Sequence, residues 1–325
     1  MLLTQPDETR IPVRTPFDER STADEVAAGL DLSDRRAVVT GASSGIGAET
    51  ARVLADHGAA VTLAVRNAGA GESVASEIRA STGNASVDVR PLELADRSSV
   101  AAFVEAWDGP LDILVNNAGI MAIPERTLTE EGVELQFATN HLGHFLLATG
   151  LHDALRAAGG ARVVSLSSSA HMYCPILFDD PTFAFVPYGP FLAYGQSKTA
   201  NVLFAVEASR RWERDGITVN AVMPGGIATG LQRHVDPEEL ARARRESGAS
   251  AELKTVEQGA ATTVLAAASP LLDGIAGRYL EDCREADVVE SRAESDGRHG
   301  VAPYALDETD AERLWDMSVR LSKAG

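Results

Sequence analysis

The sequence predicts an α/β fold: a single doubly wound domain in which a parallel sheet of about seven strands carries helices on both faces. Two observations lead there. Between residues 36 and 280, short apolar runs alternate with longer amphipathic stretches, the order that a parallel sheet with crossover helices requires. The runs are also nearly unbroken in Val, Leu, Ile and Ala, as strands buried on both faces must be. No internal repeat and no long Gly/Ser/Pro linker divides the chain, so one domain fits better than two.

Residues 1–20 hold three prolines and few large apolar side chains and read as an extended arm. Ser21 and Thr22, ahead of Asp24 and Glu25, signal a short helix to about Leu30. Strands are expected at 37–40, 60–65, 87–92, 112–116, 162–166, 218–223 and 277–280, and helices at 45–57, 70–81, 97–107, 128–157, 193–214 and 256–268. The polar, weakly periodic stretch 282–303 reads as a surface tail before a last helix at 307–322. The expected organisation is an arm (1–34), a main domain (35–281) and a tail (282–325).

The 325 residues include 29 basic and 47 acidic side chains, a formal net charge of −18. Residues 1–34 hold 3 basic and 8 acidic side chains and residues 281–325 hold 6 and 12, so −11 of that charge lies at the ends. Nucleic-acid binding needs a clustered basic surface and is excluded as the main activity. With no run of 18 apolar residues and no basic start followed by an apolar stretch, neither a membrane span nor a leader is expected, and the location expected is the cytoplasm. Cys174 and Cys283 are too few for a disulfide scaffold and read as reduced, structural thiols. Lysine is scarce: Lys198, Lys254 and Lys323 stand against 26 arginines.

Directly after the first strand comes Thr40-Gly41-Ala42-Ser43-Ser44-Gly45-Ile46-Gly47, opening into a helix. Glycines at such a turn let the backbone approach a pyrophosphate, whose charge the free N–H groups of the helix stabilise. A plain tight turn would use the same residues. At the end of the second strand, Ala64-Val65-Arg66-Asn67 offers no carboxylate to a ribose 2′-hydroxyl, while Arg66 suits a 2′-phosphate. NADP(H) is therefore favoured over NAD(H). Tyr194 and Lys198 are four residues apart in a periodic helix and share one face. An ammonium beside a phenol stabilises the phenolate and lowers its pKa from the usual value of about 10.

These motifs resemble those of the short-chain dehydrogenases/reductases, in the branch that includes the retinol dehydrogenases. The resemblance rests on Thr-Gly-x3-Gly-x-Gly at 40–47, Asn116-Asn117-Ala118-Gly119, Tyr194-x3-Lys198 and Pro224-Gly225, in that order over residues 36–280. It implies a Rossmann-type fold and a nicotinamide cofactor held by Gly41, Ser43, Ser44, Gly45, Ile46, Gly47, Arg66, Asn67, Glu93, Leu94, Asn117, Ala118, Gly119, Pro224, Gly225, Ile227 and Thr229, with Tyr194 and Lys198 contributing. Glu93 stands where the family usually has Asp. The resemblance also implies a catalytic set: Tyr194 as proton donor or acceptor, Lys198 as its cation, Ser168 as the hydroxyl on the substrate oxygen, and Asn140 as the backbone anchor of a proton path. Ser167 is the alternative to Ser168 should the register differ by one.

The activity implied is reversible hydride transfer between nicotinamide and a small-molecule carbonyl or alcohol. An NAD-preferring dehydrogenase of the same family, a noncatalytic dinucleotide sensor and a nucleotide-sugar epimerase are the alternatives, and a homo-oligomer, dimer or tetramer, stays open. The segment 172–193 carries 6 of the 17 aromatic residues, and reads either as an apolar wall for a bulky substrate or as packing over the sheet edge. Arg233, Arg242, Arg244 and Arg245, in a stretch at 230–255 where the family has a lid, read either as a solvated helix face or as contacts to an acidic substrate. His141 and His144 are spaced for a metal but lack a third ligand, so packing or hydrogen bonding is expected and no metal. His171, just past Ser168, reads as a pocket neighbour or as a loop histidine without a catalytic role.

Overall fold

The computed structural model describes residues 11–234, 253–295 and 297–323. Eight strands form one sheet: β1 (Arg36–Thr40), β2 (Ala60–Val65), β3 (Val87–Pro91), β4 (Ile113–Asn116), β5 (Arg162–Leu166), β6 (Thr218–Met223), β7 (Tyr279–Glu281) and β8 (Arg284–Glu285). Their spatial order is β3-β2-β1-β4-β5-β6-β7-β8. The first seven pair in parallel, as in Val38↔Thr62, Val38↔Leu114 and Val164↔Asn220, and β8 pairs antiparallel to β7. The eighth strand was not expected, because two residues are too few to show a period.

The order reverses between β1 and β4, so the connections leaving these two strands diverge and open a crevice at the carboxyl edge of the sheet. Side-chain alternation sorts the core into two layers. Ala37 and Val39 face the layer of α1 (Ala23–Ala27), α2 (Gly45–Asp56), α3 (Ala68–Thr82) and, after β6, the helix Val256–Ala268. Val38 and Leu114 face the layer of α4 (Arg97–Glu105), α5 (Leu135–Phe137), α6 (Gly143–Gly150), α7 (His152–Ala157) and α8 (Pro190–Trp212). The helix Val256–Ala268 is α9, and the last, Glu308–Lys323, is α10.

The helix expected from residue 128 starts seven residues later, at Leu135. Residues 128–134 close a small loop through the Leu128↔Glu134 bridge, and the Glu134 carboxylate caps α5 by accepting from Phe137 N at 2.8 Å. A π turn, Ala138–Leu142, then joins α5 to α6. Residues 11–15 of the N-terminal arm are extended and lie along β8, with Glu285 N donating to Val13 O at 3.0 Å and Thr15 Oγ1 to Cys283 O at 2.7 Å. Thr22 and Glu25 form a capping box on α1, which ends at Ala27.

The tail is less superficial than its polarity suggested. Asp282, Cys283, Val301 and Ala302 are buried, and Gly300 N donates to the buried Glu281 carboxylate at 2.8 Å. Helix α10 lays Leu314 and Met317 against the α6 and α8 layer, with Trp315 5.0 Å from the Phe145 ring. Cys174 and Cys283 are free and buried, and burial pushes both thiols up to about 11. Arg242, Arg244 and Arg245 lie outside the described residues, as does the Arg233 side chain. Among the described residues no helix is long and apolar enough to cross a membrane.

Candidate active site

Every expected site residue except Asn140, Tyr194 and Lys198 lies just beyond the carboxyl end of a strand, from β1 through β6. The turn after β1 is shaped by its glycines. Gly41 has φ +66°, and a Cβ there would come within 2.8 Å of Ala118 Cα; one on Gly47 would run into the Asn117 amide and Gly41 O. The turn is therefore pressed onto Asn117 and Ala118. Helix α2 begins at Gly45, and Ser44 at its cap makes no side-chain bond to it, so no cap shields the first amides from the crevice.

Thr40, the last residue of β1, joins the two strands at the switch point. Its hydroxyl oxygen accepts from Asn117 N and Ala118 N, both at 2.9 Å, and its proton goes to His144 Nε2 at 2.9 Å. His144 Nδ1–H donates to Asn140 O at 2.9 Å, and burial pushes this imidazole down to about 4, so it is neutral with its proton on Nδ1. His141 Nε2 donates to Ser318 Oγ at 2.8 Å, within a nest of Phe137, Phe145 and Phe204 rings. Both histidines thus have the hydrogen-bonding roles expected of them.

Arg66 follows β2 and Glu93 follows β3. The Arg66 side chain is 70% exposed, and its Nε lies 3.5 Å from Glu93 Oε2. Asn67 caps α3 by accepting from Ala70 N at 3.1 Å, and Leu94 is buried.

Tyr194 and Lys198 are both buried on α8, with Lys198 Nζ 5.6 Å from the centre of the Tyr194 ring. Lys198 Nζ donates to Leu166 O at 3.0 Å, at the end of β5. Two residues further on, the Ser168 hydroxyl lies close enough to the Tyr194 phenol to lower its pKa, whereas Ser167 Oγ turns away to donate to Lys198 O at 2.9 Å. Ser169 opens the 3₁₀ turn Ser169–Tyr173. Asn140 sits inside the π turn; its amide accepts from Ile120 N at 2.8 Å and donates to Ile120 O and Ser197 Oγ, both at 2.9 Å. Burial pushes Tyr194 up to about 12, with the nearby Ser168 hydroxyl pulling the other way, and pushes Lys198 down to about 8. The phenol is thus raised by desolvation, where the spacing to the ammonium alone predicts it lowered.

The sequence profile described as short chain dehydrogenase matches residues 35–240, well over half of the chain. The chain belongs to this family. A protein named "Probable oxidoreductase" from Streptomyces antibioticus is 55% identical over 292 residues, covering 88% of this chain and 97% of that one. Retinol dehydrogenase 12 of Homo sapiens is 40% identical over 295 residues, covering 90% and 87%. Among solved structures, a gluconate 5-dehydrogenase from Burkholderia cenocepacia in complex with NADP and tartrate superposes with a TM-score of 0.61 at 25% identity, over 78% of this chain and 95% of that one.

In this short-chain dehydrogenase, Met121, Ala122, Ala170, Phe191 and Leu231 pack around Tyr194 and give it an apolar surround. The aromatic segment 172–193 divides its work. Phe191 joins that surround, Phe183 is buried against Tyr188, and Phe185 is 91% exposed. Beyond β6, the dehydrogenase holds Pro224, Gly225, Ile227 and Thr229 beside the glycine turn: a Cβ on Gly45 would meet Thr229 Cγ2 at 3.4 Å. Lys254 braces this segment, its N donating to Gly226 O at 3.0 Å and its Nζ pairing with the buried Asp282 at 2.5 Å. Thr40, Ser197, Gln136, Lys254 and Asp282 were not singled out from sequence as site residues. The scarcity of lysine is the one signal that pointed to Lys254.

Proposed function

We propose that the protein is an NADP(H)-dependent oxidoreductase that moves a hydride between the nicotinamide and the carbonyl or alcohol carbon of a bulky, apolar substrate. The observation that carries this reading is the convergence of the Ser168 hydroxyl, the Tyr194 phenol and the Lys198 ammonium on ground lined by Met121, Ala122, Phe191 and Leu231. The glycine turn fits a dinucleotide, since Gly41, Gly45 and Gly47 leave a cradle that side chains would fill and the uncapped start of α2 suits a pyrophosphate. Exposed Arg66 supports the phosphorylated cofactor, as does the NADP bound by the structurally similar gluconate dehydrogenase. Glu93, close enough to occupy Arg66, favours the NAD(H) reading instead.

In this reading Gly41, Ser43, Ser44, Gly45, Ile46 and Gly47 would hold the pyrophosphate, Arg66 and Asn67 the adenosine ribose, Glu93 and Leu94 the adenine side, and Asn117 to Gly119 with Pro224, Gly225, Ile227 and Thr229 the nicotinamide half. Bound there, the cofactor supplies or accepts the hydride. The protein's own groups handle the oxygen. Ser168 orients it, and Tyr194, which carries its proton at neutral pH, donates that proton as negative charge develops on the substrate. Lys198 steadies the phenolate left behind. Asn140 O, which accepts from His144 Nδ1, would anchor the path that reprotonates this group.

The catalytic unit is taken as residues 35–281, flanked by the arm and the tail, and its free thiols fit a reducing compartment such as the cytoplasm. The test is a spectroscopic assay of NADPH and NADH oxidation with decanal, benzaldehyde and pyruvate, on the wild type and Tyr194→Phe. Turnover of the apolar carbonyls with NADPH, falling by about 10³-fold in the variant while NADPH still binds, is the expected result. Equal turnover in the variant would remove Tyr194 from the mechanism.

A further inference from the structure

The family profile ends at residue 240, yet the chain beyond β8 comes back to the catalytic serine. His171 lies in the turn Ser169–Tyr173 and is 0% exposed. Its Nδ1–H donates to Ser168 O at 2.7 Å, and its Nε2 accepts from Ala302 N at 3.1 Å. A carbonyl only accepts and an amide N–H only donates, so one imidazole makes both bonds only when neutral and protonated on Nδ1. Burial keeps it neutral, with a pKa pushed down to about 4. The main chain of the same residue is held as well: His171 O accepts from Tyr304 Oη at 2.7 Å and from Thr199 Oγ1 at 3.1 Å. One residue pair further along, the Arg292 guanidinium sits 4.0 Å over the Tyr173 ring.

The tail therefore grips the turn through Ala302, Tyr304, Arg292 and Ser295, whose Oγ lies 3.7 Å from Met172 Sδ, and Ala302 reaches Ser168 through a single imidazole. Ser168 itself is extended, with φ −163° and ψ 156°, and its Oγ accepts from Ala170 N at 3.2 Å. No strand ladder fixes this residue, because β5 ends at Leu166. Its aim depends on the bonds at its carbonyl, which accepts from His171 N at 3.0 Å as well as from the imidazole Nδ1–H, and on the bond at its hydroxyl. A hydroxyl that must meet a reacting oxygen has to be held to within about 0.5 Å, and groups that orient such a residue typically matter by about 10–100-fold.

We propose that His171 is a positioning residue for the reaction and that the C-terminal segment at Ala302 acts on catalysis through it, by fixing the Ser168 carbonyl so that the hydroxyl stays aimed at the substrate oxygen beside Tyr194. The proposal rests on the reading of Ser168 as the residue that holds that oxygen. It makes the tail part of the active-site machinery, although no tail residue touches the reacting atoms.

Two variants of the full chain separate the links. His171→Asn keeps an amide donor near the Nδ1 position and loses the acceptor for Ala302. Ala302→Pro removes the N–H, at a φ of −71° that proline adopts, and puts the ring Cδ where the proton pointed, so the bond to Nε2 is lost and the imidazole is pushed off the tail. Each is made with Ser168 and with Ser168→Ala, and read by decanal reduction with NADPH, by thermal melting and by the phenol carbon resonance of Tyr194 in ¹³C-tyrosine-labelled protein. The expected result is a kcat lowered about tenfold with KM for NADPH within about twofold, no further loss in the Ser168→Ala background, and a Tyr194 resonance displaced in the same direction as in Ser168→Ala. Wild-type kcat with an unmoved resonance, or a full additional loss on top of Ser168→Ala, overturns the proposal. If His171→Asn does not fold, Ala302→Pro and the resonance decide. Full activity in Ser168→Ala alone would instead sink the reading of Ser168, and an inactive Ser168→Ala beside unaffected Ala302 and His171 variants would sink only the positioning role.

Discussion

Arg66 Nε and Glu93 Oε2 face each other across 3.5 Å between the ends of β2 and β3, so the guanidinium that suits a 2′-phosphate already has an anionic neighbour. The Arg66 side chain is mostly in solvent, and an exposed pair of this kind contributes only about 0–1 kcal/mol. A doubly charged phosphate offers the guanidinium stronger, bidentate bonds and displaces the carboxylate at small cost. Arg66→Ala is expected to raise KM for NADPH about tenfold or more and leave KM for NADH within about twofold. Glu93→Gln, which frees the guanidinium, is expected to lower KM for NADPH by about two- to fivefold. Steady-state kinetics with both cofactors reads the outcome, and a loss of NADH affinity in Arg66→Ala equal to that for NADPH would reject the assignment.

Lys198 sets function against stability. Its ammonium is buried and pushed down to about 8, so below that pH the fold bears the cost of a desolvated charge. Replacing it leaves no orphan acceptor, because Leu166 O still receives Asn201 Nδ2 at 2.8 Å. Lys198→Met is expected to lower turnover by at least about 10²-fold and to melt higher than the wild type at pH 7. The sign follows from proton counts. The folded pKa lies below the unfolded value of about 10.4, so from pH 8 to 10.4 the unfolded chain binds the extra proton and wild-type stability rises with pH. The melting difference should therefore shrink by pH 9.5, and a variant that melts lower at pH 7 would contradict this account.

Three buried imidazoles govern the acid limb. His141 is pushed down to about 3 and His144 and His171 to about 4, all by burial. Unfolded, each titrates near 6.5, so as pH falls from 6.5 the unfolded chain takes up protons that the folded chain refuses, and stability drops. Burial raises Glu134 above the usual carboxylate value, and Glu281, raised to about 7, holds a proton in the folded state and opposes the loss. Three imidazoles against Glu281 leave about two protons, a fall of about 2.7 kcal/mol per pH unit near pH 5.5. Glu281→Gln removes that opposing group and should steepen the slope by about half in urea unfolding at pH 7, 6 and 5; an unchanged slope would mean that Glu281 does not hold its proton.

What could be read from sequence divides along physical lines. Strands β1 to β6 and the Tyr194–Lys198 pair were legible because periods of 2 and 3.6 place side chains without knowledge of the rest of the fold. The pKa direction of Tyr194 was not, because spacing shows a neighbouring charge but not that the phenol is shut away from water. Asn140 stood out as an interior helix asparagine, but the π turn around it and its bonds to Ile120 and Ser197 depend on tertiary approach. The tail misled for a related reason. Its polar side chains say surface, while its backbone at Gly300 and Ala302 bonds buried Glu281 and His171.

Gln136 shows how much of the apolar wall around Tyr194 hangs on one amide. It is fully buried; Oε1 accepts from Ala122 N at 2.8 Å, and Nε2 donates to Tyr188 Oη and to Pro190 O, both at 3.0 Å. Ala122 has φ +53°, a conformation costly for a residue with a Cβ, and this bond holds it there beside Tyr194. Pro190 starts α8, so the same side chain ties the wall to the helix that carries Tyr194 and Lys198. Gln136→Leu keeps the volume but leaves Ala122 N without this partner, a loss of about 1–3 kcal/mol for a buried group. It is expected to lower urea-unfolding stability by about 2–4 kcal/mol and to raise KM for decanal well above any change in KM for NADPH, because the wall moves while the glycine turn stays. Glu would retain an acceptor for Ala122 and should recover part of the KM, whereas equal rises in both KM values would show that Gln136 supports the whole crevice and not the wall.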